Sequence, residues 1–535
     1  MTIRHGVPYH LRKLATTEQM RMFDRLASDR YGVSSIVLME NAGRLVYDAV
    51  LGVLGSVSAK RIVVISGKGN NGGDGFVVAR HLRDTGAIVR VYTIGDAAEF
   101  KGDAKTNYDI LMSTGFDITS ITTIEDIGDL SRCDAVIDAI YGTGLKGDIT
   151  GLAGDVIDAV NRCGKPVIAV DVPSGIDADT GGIHSVCVKA DVTATFALPK
   201  PGLFLYPGAA YTGLVIAGDI GIPHELYADI KIEITTPEFV TGSLPVRSPD
   251  AHKGTFGTVA VIAGSRGMAG AAALASEAVL RVGAGLSILC VPVGLRDIMA
   301  IKLTEVMTRG LPETSDGMLS SAAVDDALRI CEKASAVVLG CGLGLSEDTI
   351  EFVNGILRSS KTSMVIDADA LNCISQQNGN PAKLQDNTVI TPHPAEIARL
   401  LGTTTAEIQS DRLGAAKNAS QQFGCVVVLK GAGTVIANPA GRVYVNTTGN
   451  PGMATGGTGD VLAGMIGGLM SQGMPAFDAA VSGVFIHGAA GDIAAKAIGE
   501  SGMLAGDLLN AVPAALKELY ALKLRSDRLC GNGGV

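Results

Sequence analysis

The sequence predicts two α/β domains, each a mainly parallel, doubly wound sheet covered by helices. Three observations carry that expectation. Short apolar runs rich in Val and Ile alternate with amphipathic stretches along both halves of the chain. Gly-rich loops follow several of those runs, at the strand ends where such a sheet places its ligands. A polar segment at 222–247, punctuated by Pro223, Pro237 and Pro245, breaks the rhythm. A boundary is therefore expected near 236–243, giving domains 1–236 and 237–535.

The elements follow in order. Thr16-Thr17-Glu18 can cap a helical stretch at 16–52, which Gly32 can divide. Strands are expected in RIVVISG (61–67), AIVRVYTI (87–94), CDAVIDAI (133–140), KPVIAVDVPSG (165–175), DVTATFAL (191–198) and GLVIAGDIG (213–221). The second series is GTVAVIAGS (257–265), GLSILCVPV (285–293), ASAVVLGCGLG (334–344), SMVIDADAL (363–371), NTVITPHPAE (387–396) and CVVVLKGAGTVIA (425–437). RVYVN (442–446) precedes Gly-rich helices reaching about 525, and the tail CGNGGV is expected to fray.

Composition narrows the function classes. The 535 residues carry 44 Lys+Arg against 54 Asp+Glu, a net charge of −10. That argues against a broad nucleic-acid or polybasic membrane surface. Nine cysteines form no CxxC pair and eight histidines no HExxH, so neither a disulfide framework nor zinc is expected. The uncharged segment 201–218 contains two prolines and four glycines and reads as loops and a strand. The N-terminal residues have no apolar signal-peptide core. A soluble cytoplasmic protein is expected, with no nucleic-acid or membrane partner.

The first candidate site begins at GKGNNGGDG (67–75), directly after a strand. Its backbone N–H groups, opening a helix, can hold an anion. Gly67, Gly69, Gly72, Gly73 and Gly75 are expected to supply left-handed turns and close backbone approach. The spacing is neither GxGxxG nor a P-loop. Asn70, Asn71 and Asp74 add side-chain oxygens. Two further strand ends carry carboxylates, Asp138 in DAIYGTGLKGD and Asp171 in VDVPSGIDADTG, the latter followed by Ser174 and Asp177. Each is read either as a structural cap or as part of a shared site, and oxygen donors alone suit a hard cation.

These three motifs, in this order, resemble the NAD(P)H-hydrate epimerase domain over about residues 10–225. The resemblance implies a Rossmann-like three-layer fold and interconversion of the R and S hydrates of NADH and NADPH. It implies potassium held by Asn71, Asp138 and Ser174. It carries substrate contacts to Asn70, Asn71, Gly72, Gly73 and Asp74, to Asp171, and to the loop of Gly142, Thr143, Gly144, Leu145, Lys146, Gly147 and Asp148. Asp171 is the candidate for proton transfer. Lys146 reads either as steadying phosphate or the departing hydroxyl, or as a solvated loop lysine.

The second candidate site centres on GNPGMATGGTGDVLAG (449–464). Its GTGD core is expected as a loop opening onto a helix near Asp460, with N–H groups facing developing negative charge. Asp460 would take a proton from an acceptor hydroxyl. KGAGT, comprising Lys430, Gly431, Ala432, Gly433 and Thr434, closes a strand and can receive nucleotide phosphates. His393 lies between two prolines and reads as structural or as a ligand contact. Asp367 or Asp369 is a candidate for water-mediated magnesium.

With AHKGTFGTVAVIAGS, GMAGAAALASEAVLRVGAGL, LGCGLG, ITPHPAE and LKGAGT, this half resembles the ribokinase-like superfamily over about 245–520. Within it the match is to the ADP- or ATP-dependent NAD(P)H-hydrate dehydratases. The resemblance implies hydrate contacts at Ala271, Gly342, His393 and Asp460, and nucleotide contacts at Lys430 through Thr434 and Gly459. Ala395 stands where the family usually has Gly, and Cys341 where Pro is common. It implies ADP with magnesium as co-substrate, yielding AMP and phosphate; the residues do not decide between ADP and ATP, and a homo-oligomer is left open. Two other readings stand beside this one. The chain would be a vitamin or sugar kinase fused to a regulatory domain, or its N-terminal domain would only bind a ligand or partner.

Overall fold

The computed structural model describes residues 12–376 and 383–531. The expected frayed tail falls mostly outside them, at 532–535; Cys530 and Gly531 continue the last helix, Ala505–Gly531. Most of the N-terminal stretch used to discount a signal peptide also lies outside. The chain divides into two compact units, one ending at Glu233 and the other beginning at Ile234.

Capping chemistry sets the first helices. Thr16 forms a reciprocal capping box with Gln19 and opens helix Thr17–Tyr31. Gly32, at φ 72°, ends it in the left-handed conformation that favours glycine. Helix Ser35–Leu54 follows. Buried β-branched runs then build a seven-stranded sheet from β1 (Arg61–Ser66), β2 (Ile88–Ile94), β3 (Ile118–Ile121), β4 (Ala135–Ala139), β5 (Val167–Val170), β6 (Val192–Phe196) and β7 (Leu214–Gly218). Its order is β3-β2-β1-β4-β5-β6-β7, and every pairing is parallel. Apolar clusters cover both faces, one using helices Ser35–Leu54 and Asn70–Asp84, the other helix Leu152–Arg162. That is a three-layer arrangement.

The second unit is built on a ten-stranded sheet. Its members are β8 (Ile232–Ile234), which straddles the division, β9 (Thr258–Ile262), β10 (Leu286–Pro292), β11 (Met307–Leu311), β12 (Ala336–Leu339), β13 (Met364–Ile366), β14 (Thr388–Ile390), β15 (Val426–Leu429), β16 (Val435–Ala437) and β17 (Val443–Val445). The order is β11-β10-β9-β12-β13-β14-β15-β16-β17-β8. Pairing is parallel from β11 to β15, and antiparallel where β15 turns into β16 and β16 into β17. The run 425–437 is thus a hairpin with KGAGT at its turn. The core packs helices Ala269–Arg281, Thr458–Ser471 and Ala476–Ile498 together with the sheet.

Topology puts both candidate sites at the same kind of place. Strand order reverses between β1 and β4 in one sheet and between β9 and β12 in the other. Loops diverge there, leaving a crevice outside the carboxyl ends of the strands. GKGNNGGDG follows β1, and LGCGLG follows β12.

Candidate active site

In the first unit GKGNNGGDG runs from β1 straight into helix Asn70–Asp84, with Gly69 as its N-cap. The expectation of left-handed turns is wrong for this loop, because none of its five glycines has positive φ. Four are there for space. A Cβ on Gly67 would lie 2.0 Å from the Ile140 carbonyl oxygen, and one on Gly72 1.9 Å from that of Gly67. On Gly73 it would strike Met39 Sδ at 2.8 Å, and on Gly75 Ala139 Cβ at 2.6 Å. The glycines let the helix N-terminus sit down on the strand ends.

Asp138, the fourth residue of β4, is fully buried. Its Oδ1 accepts from the Ser174 hydroxyl at 2.6 Å and the Ile140 N–H at 3.2 Å, and its Oδ2 from the Ser174 N–H at 2.8 Å. Burial pushes its pKa up to about 6, and the three donors only moderate that. Every one of those donors is neutral. Ser174 Oγ also accepts from the Tyr141 N–H at 2.8 Å. The Asn71 side chain lies against the next residue, Gly142, where a Cβ would meet its Oδ1 at 2.9 Å; its Nδ2 is buried without a partner. Asn71, Asp138 and Ser174 therefore share one neighbourhood. A buried carboxylate answered only by neutral donors fits a bound cation.

Asp171 follows β5 directly and holds φ 64°, strained for a residue with a Cβ. Its Oδ1 accepts from Lys200 Nζ at 2.5 Å, the Thr195 hydroxyl at 3.0 Å and the Phe196 N–H at 3.3 Å. Lys200, 2% exposed, also donates to the Phe196 carbonyl at 3.2 Å. Sequence reading missed this lysine, which lies in PKPG beyond β6. Two more carboxylates feel the pair. Asp74 is buried and its pKa rises well above the usual range, first from desolvation, then from the charges of Asp171 and Asp24. Asp24, on the first helix, is also raised by burial. Lys146 is exposed, as are Gly144, Gly147 and Asp148, while Gly142, Thr143 and Leu145 are half-buried. Asp177 is occupied in its own turn, capping the N–H groups of Asp179 and Thr180.

In the second unit a cleft of ≈ 460 Å³ is lined by Gly267, Ala271, Gly342, Asp369, Gly457 and Asp460, among others. Three residues expected at the hydrate site, Ala271, Gly342 and Asp460, are brought together there. The GTGD sequence is not a loop ahead of the helix. It is the first turn of helix Thr458–Ser471, capped by Gly457 at φ 97°. Asp460 accepts a hydrogen bond from the Cys341 thiol. Burial, then the charge of Asp367, raises its pKa to about 6. His487, buried and pulled down to about 4 by desolvation, is neutral and donates from Nε2 to the Thr458 carbonyl at 2.8 Å.

Lys430 is committed below this cleft. Its Nζ lies 2.6 Å from Asp367 Oδ1 and 3.8 Å from Glu396 Oε2. Thr391 Oγ1 donates to the same Asp367 oxygen at 2.7 Å. Gly459 faces this pair, a Cβ there standing 3.6 Å from Lys430 Nζ. Asp369 accepts the Gly344 N–H at 2.9 Å. Cys341, Asp367 and Asp460 converge within 4.8 Å. They do not fit magnesium, because the buried thiol stays protonated and Asp367 is already ion-paired with Lys430. His393 caps helix Pro394–Leu401, its Nδ1 accepting the N–H groups of Ala395 and Glu396. Half its side chain is exposed, and Nε2 lies 3.5 Å from Glu396 Oε1. Glu396 gave no sequence signal beyond its place in ITPHPAE.

Comparison with known proteins follows the same division. The family described as NAD(P)H-hydrate dehydratase matches residues 259–514, and that described as YjeF-related protein N-terminus matches 35–202. The bifunctional NAD(P)H-hydrate repair enzyme Nnr of Moorella thermoacetica is 45% identical over 514 residues, 95% of this chain and 97% of that protein. The Escherichia coli protein of the same name is 36% identical, covering 92% of each. A Bacillus subtilis ADP/ATP-dependent NAD(P)H-hydrate dehydratase crystallised with ATP and magnesium is 30% identical, with a TM-score of 0.47, over 54% of this chain and 98% of its own. No helix among the described residues is long and apolar enough to cross a membrane. With both family matches in order and relatives aligned along nearly its whole length, the chain belongs to the bifunctional NAD(P)H-hydrate repair enzymes.

Proposed function

We propose that the first unit epimerises the R and S hydrates of NADH and NADPH, and that the second dehydrates the S form with ADP. The observation that carries the reading is Asp460. It is a carboxylate on a helix first turn, at a cleft shared with Ala271 and Gly342, and it ionises near neutral pH. A general base works best when its pKa lies near the working pH.

The chemistry needs such a base. Hydroxide leaves poorly, whereas phosphate, with a second pKa of about 6, leaves readily. Asp460 takes the proton of the C6 hydroxyl as its oxygen attacks the β-phosphorus of ADP. The bond to the bridging oxygen breaks, releasing AMP. The C6–O bond then breaks with loss of a C5 proton, giving phosphate and the dihydropyridine. Lys430, held between Asp367 and Glu396, offsets part of the negative charge at this site. Gly431 through Thr434 face the nucleotide, and magnesium arrives on its phosphates.

In the first unit Asp171 moves the proton during epimerisation, and Lys200 fixes which oxygen is free to do so. Oδ1 is saturated by three donors, leaving Oδ2 for substrate. Potassium would be held by Asn71, Asp138 and Ser174. When bound it supplies the positive charge that buried Asp138 otherwise lacks.

The deciding experiment is incubation with mixed NADH hydrates, ADP and magnesium, followed by chromatography. Consumption of both isomers with AMP and phosphate in proportion is expected. A stable phosphorylated product without free phosphate would favour a kinase instead. Consumption of the S isomer alone would leave the first unit a binding domain.

A further inference from the structure

Below the KGAGT turn lies a cation with no counter-charge among the described residues. Arg412, the first residue of helix Arg412–Phe423, is 4% exposed. Its guanidinium donates to the carbonyls of Leu429 at 3.1 Å, Lys430 at 3.4 Å and Gly433 at 3.5 Å, and to Gln409 Oε1 at 3.0 Å. Its Nε is buried without a partner. Burial draws its pKa down to about 10, with no carboxylate among the described residues opposing, so it is charged at neutral pH. An unpaired buried charge is expensive, and structures keep one where something offsets it.

The turn is built around this group. Gly431 holds φ 144°, a conformation that favours glycine, and a Cβ there would lie 2.8 Å from Arg412 Nη1. Gly433 holds φ 64°. The Thr434 hydroxyl binds the Gly431 carbonyl at 2.8 Å. Carbonyls of the turn are thus drawn inward, onto Arg412 and Thr434. The N–H groups of Gly431, Ala432 and Gly433 donate to nothing among the described residues. Gly431 and Ala432 are exposed. Successive free N–H groups backed by a positive charge make an anion-binding concavity.

We infer that Arg412 is a positioning residue of the nucleotide site: it fixes the KGAGT turn with its amides outward and lends the turn the charge that a nucleoside diphosphate answers. This rests on the ADP-dependent reading above. Asp367 and Glu396 already hold Lys430, so the positive potential at the turn comes chiefly from the arginine.

The test is ADP binding by calorimetry, with steady-state dehydration of the S-hydrate. Arg412→Ala is expected to raise both Kd and KM for ADP about tenfold or more, the scale of lost charge-assisted hydrogen bonds. Its kcat should stay within about threefold of wild type, because Asp460 is untouched. Guanidinium, at concentrations too low to unfold the protein, should restore part of the affinity. Ser420→Ala removes a hydrogen bond from the same helix to the Cys425 carbonyl and should leave KM unchanged. If Arg412→Ala does not fold, Arg412→Lys keeps the charge but loses most carbonyl contacts, and a smaller rise of about threefold is expected. Unchanged Kd in either arginine variant, or an equal rise in Ser420→Ala, would overturn the inference. Wild-type protein that binds no ADP would instead overturn the functional reading beneath it.

Discussion

The two sites use the same parts in different ways. Each has a strand-end aspartate ion-paired to a distant lysine, Asp171 with Lys200 at 2.5 Å and Asp367 with Lys430 at 2.6 Å. Each also has a second aspartate that burial raises to about 6, Asp138 in one and Asp460 in the other. The difference lies in what surrounds that second carboxylate. Asp138 is sealed and accepts three hydrogen bonds from neutral donors. Asp460 lines a cleft and has one thiol donor, with the charge of Asp367 nearby. A shifted pKa alone does not assign a role: the first environment suits holding a cation, the second moving a proton.

The largest expected effect tests the paired aspartates. Lys200→Met and Lys430→Met each strand a carboxylate in a buried setting, and a loss of about 3–5 kcal/mol is expected in either unit. Urea unfolding of each variant measures it. A loss below about 1 kcal/mol for Lys200→Met would mean that water reaches Asp171 and the likeness between the pairs is superficial.

Amide replacements come next and should divide by activity. Asp171→Asn should lower R-to-S conversion by about 10² while dehydration of supplied S-hydrate continues. Asp460→Asn should do the reverse, bringing R and S hydrates to equilibrium without forming NADH, again by about 10². Chromatography of one reaction mixture reads both. Undiminished dehydration by Asp460→Asn would remove it as the base.

The pH profile is a milder test. If Asp460 must be ionised, kcat for dehydration should fall about tenfold per pH unit below about 6 and level off above it. A profile flat from about pH 5 to about pH 8 would place the base elsewhere.

How much of this was legible beforehand depended on chain distance. Buried β-branched runs announced most strands, but β3 and β11 are edge strands with mixed exposure and gave no run to read. Motifs marked Asp138, Asp171 and Asp460, because a carboxylate ending an apolar strand or a Gly-rich turn is costly without a purpose. Their partners carried no mark. Lys200 lies 29 residues from Asp171, and Lys430 lies 63 from Asp367. Arg412 looks like any charged residue at a helix start until the hairpin folds over it. Glycines were counted correctly but explained only in part. Four of the five in GKGNNGGDG are needed for contact, whereas Gly340, Gly342 and Gly344 of LGCGLG hold positive φ.

The smallest expected effect separates the two raised aspartates most cleanly, because its size at pH 8 should differ between them. In both, the folded pKa stands above the unfolded value. The favourable contribution is therefore complete below about pH 4 and is lost as pH rises through about 6. At pH 8, Asp460→Asn removes the cost of burying a charge and gives up only a thiol hydrogen bond. The second unit should gain about 1–2 kcal/mol, somewhat less than the full shift implies because the group borders a cleft. That is a few degrees in Tm, and the gain should vanish at pH 4. Asp138→Asn also removes a buried charge, but an amide cannot accept all three donors. Ser174 would lose an acceptor for its N–H or its hydroxyl, at about 1–3 kcal/mol, and at pH 8 this offsets most of the gain from removing the charge. At pH 4 the wild-type carboxyl is itself protonated, so the two forms should differ little. The first unit should therefore gain clearly less than the second at pH 8. Equal stabilisation by the two variants at pH 8 would mean that the hydrogen bonds of Asp138 matter less than its charge, and that the two sites are more alike than their geometry suggests.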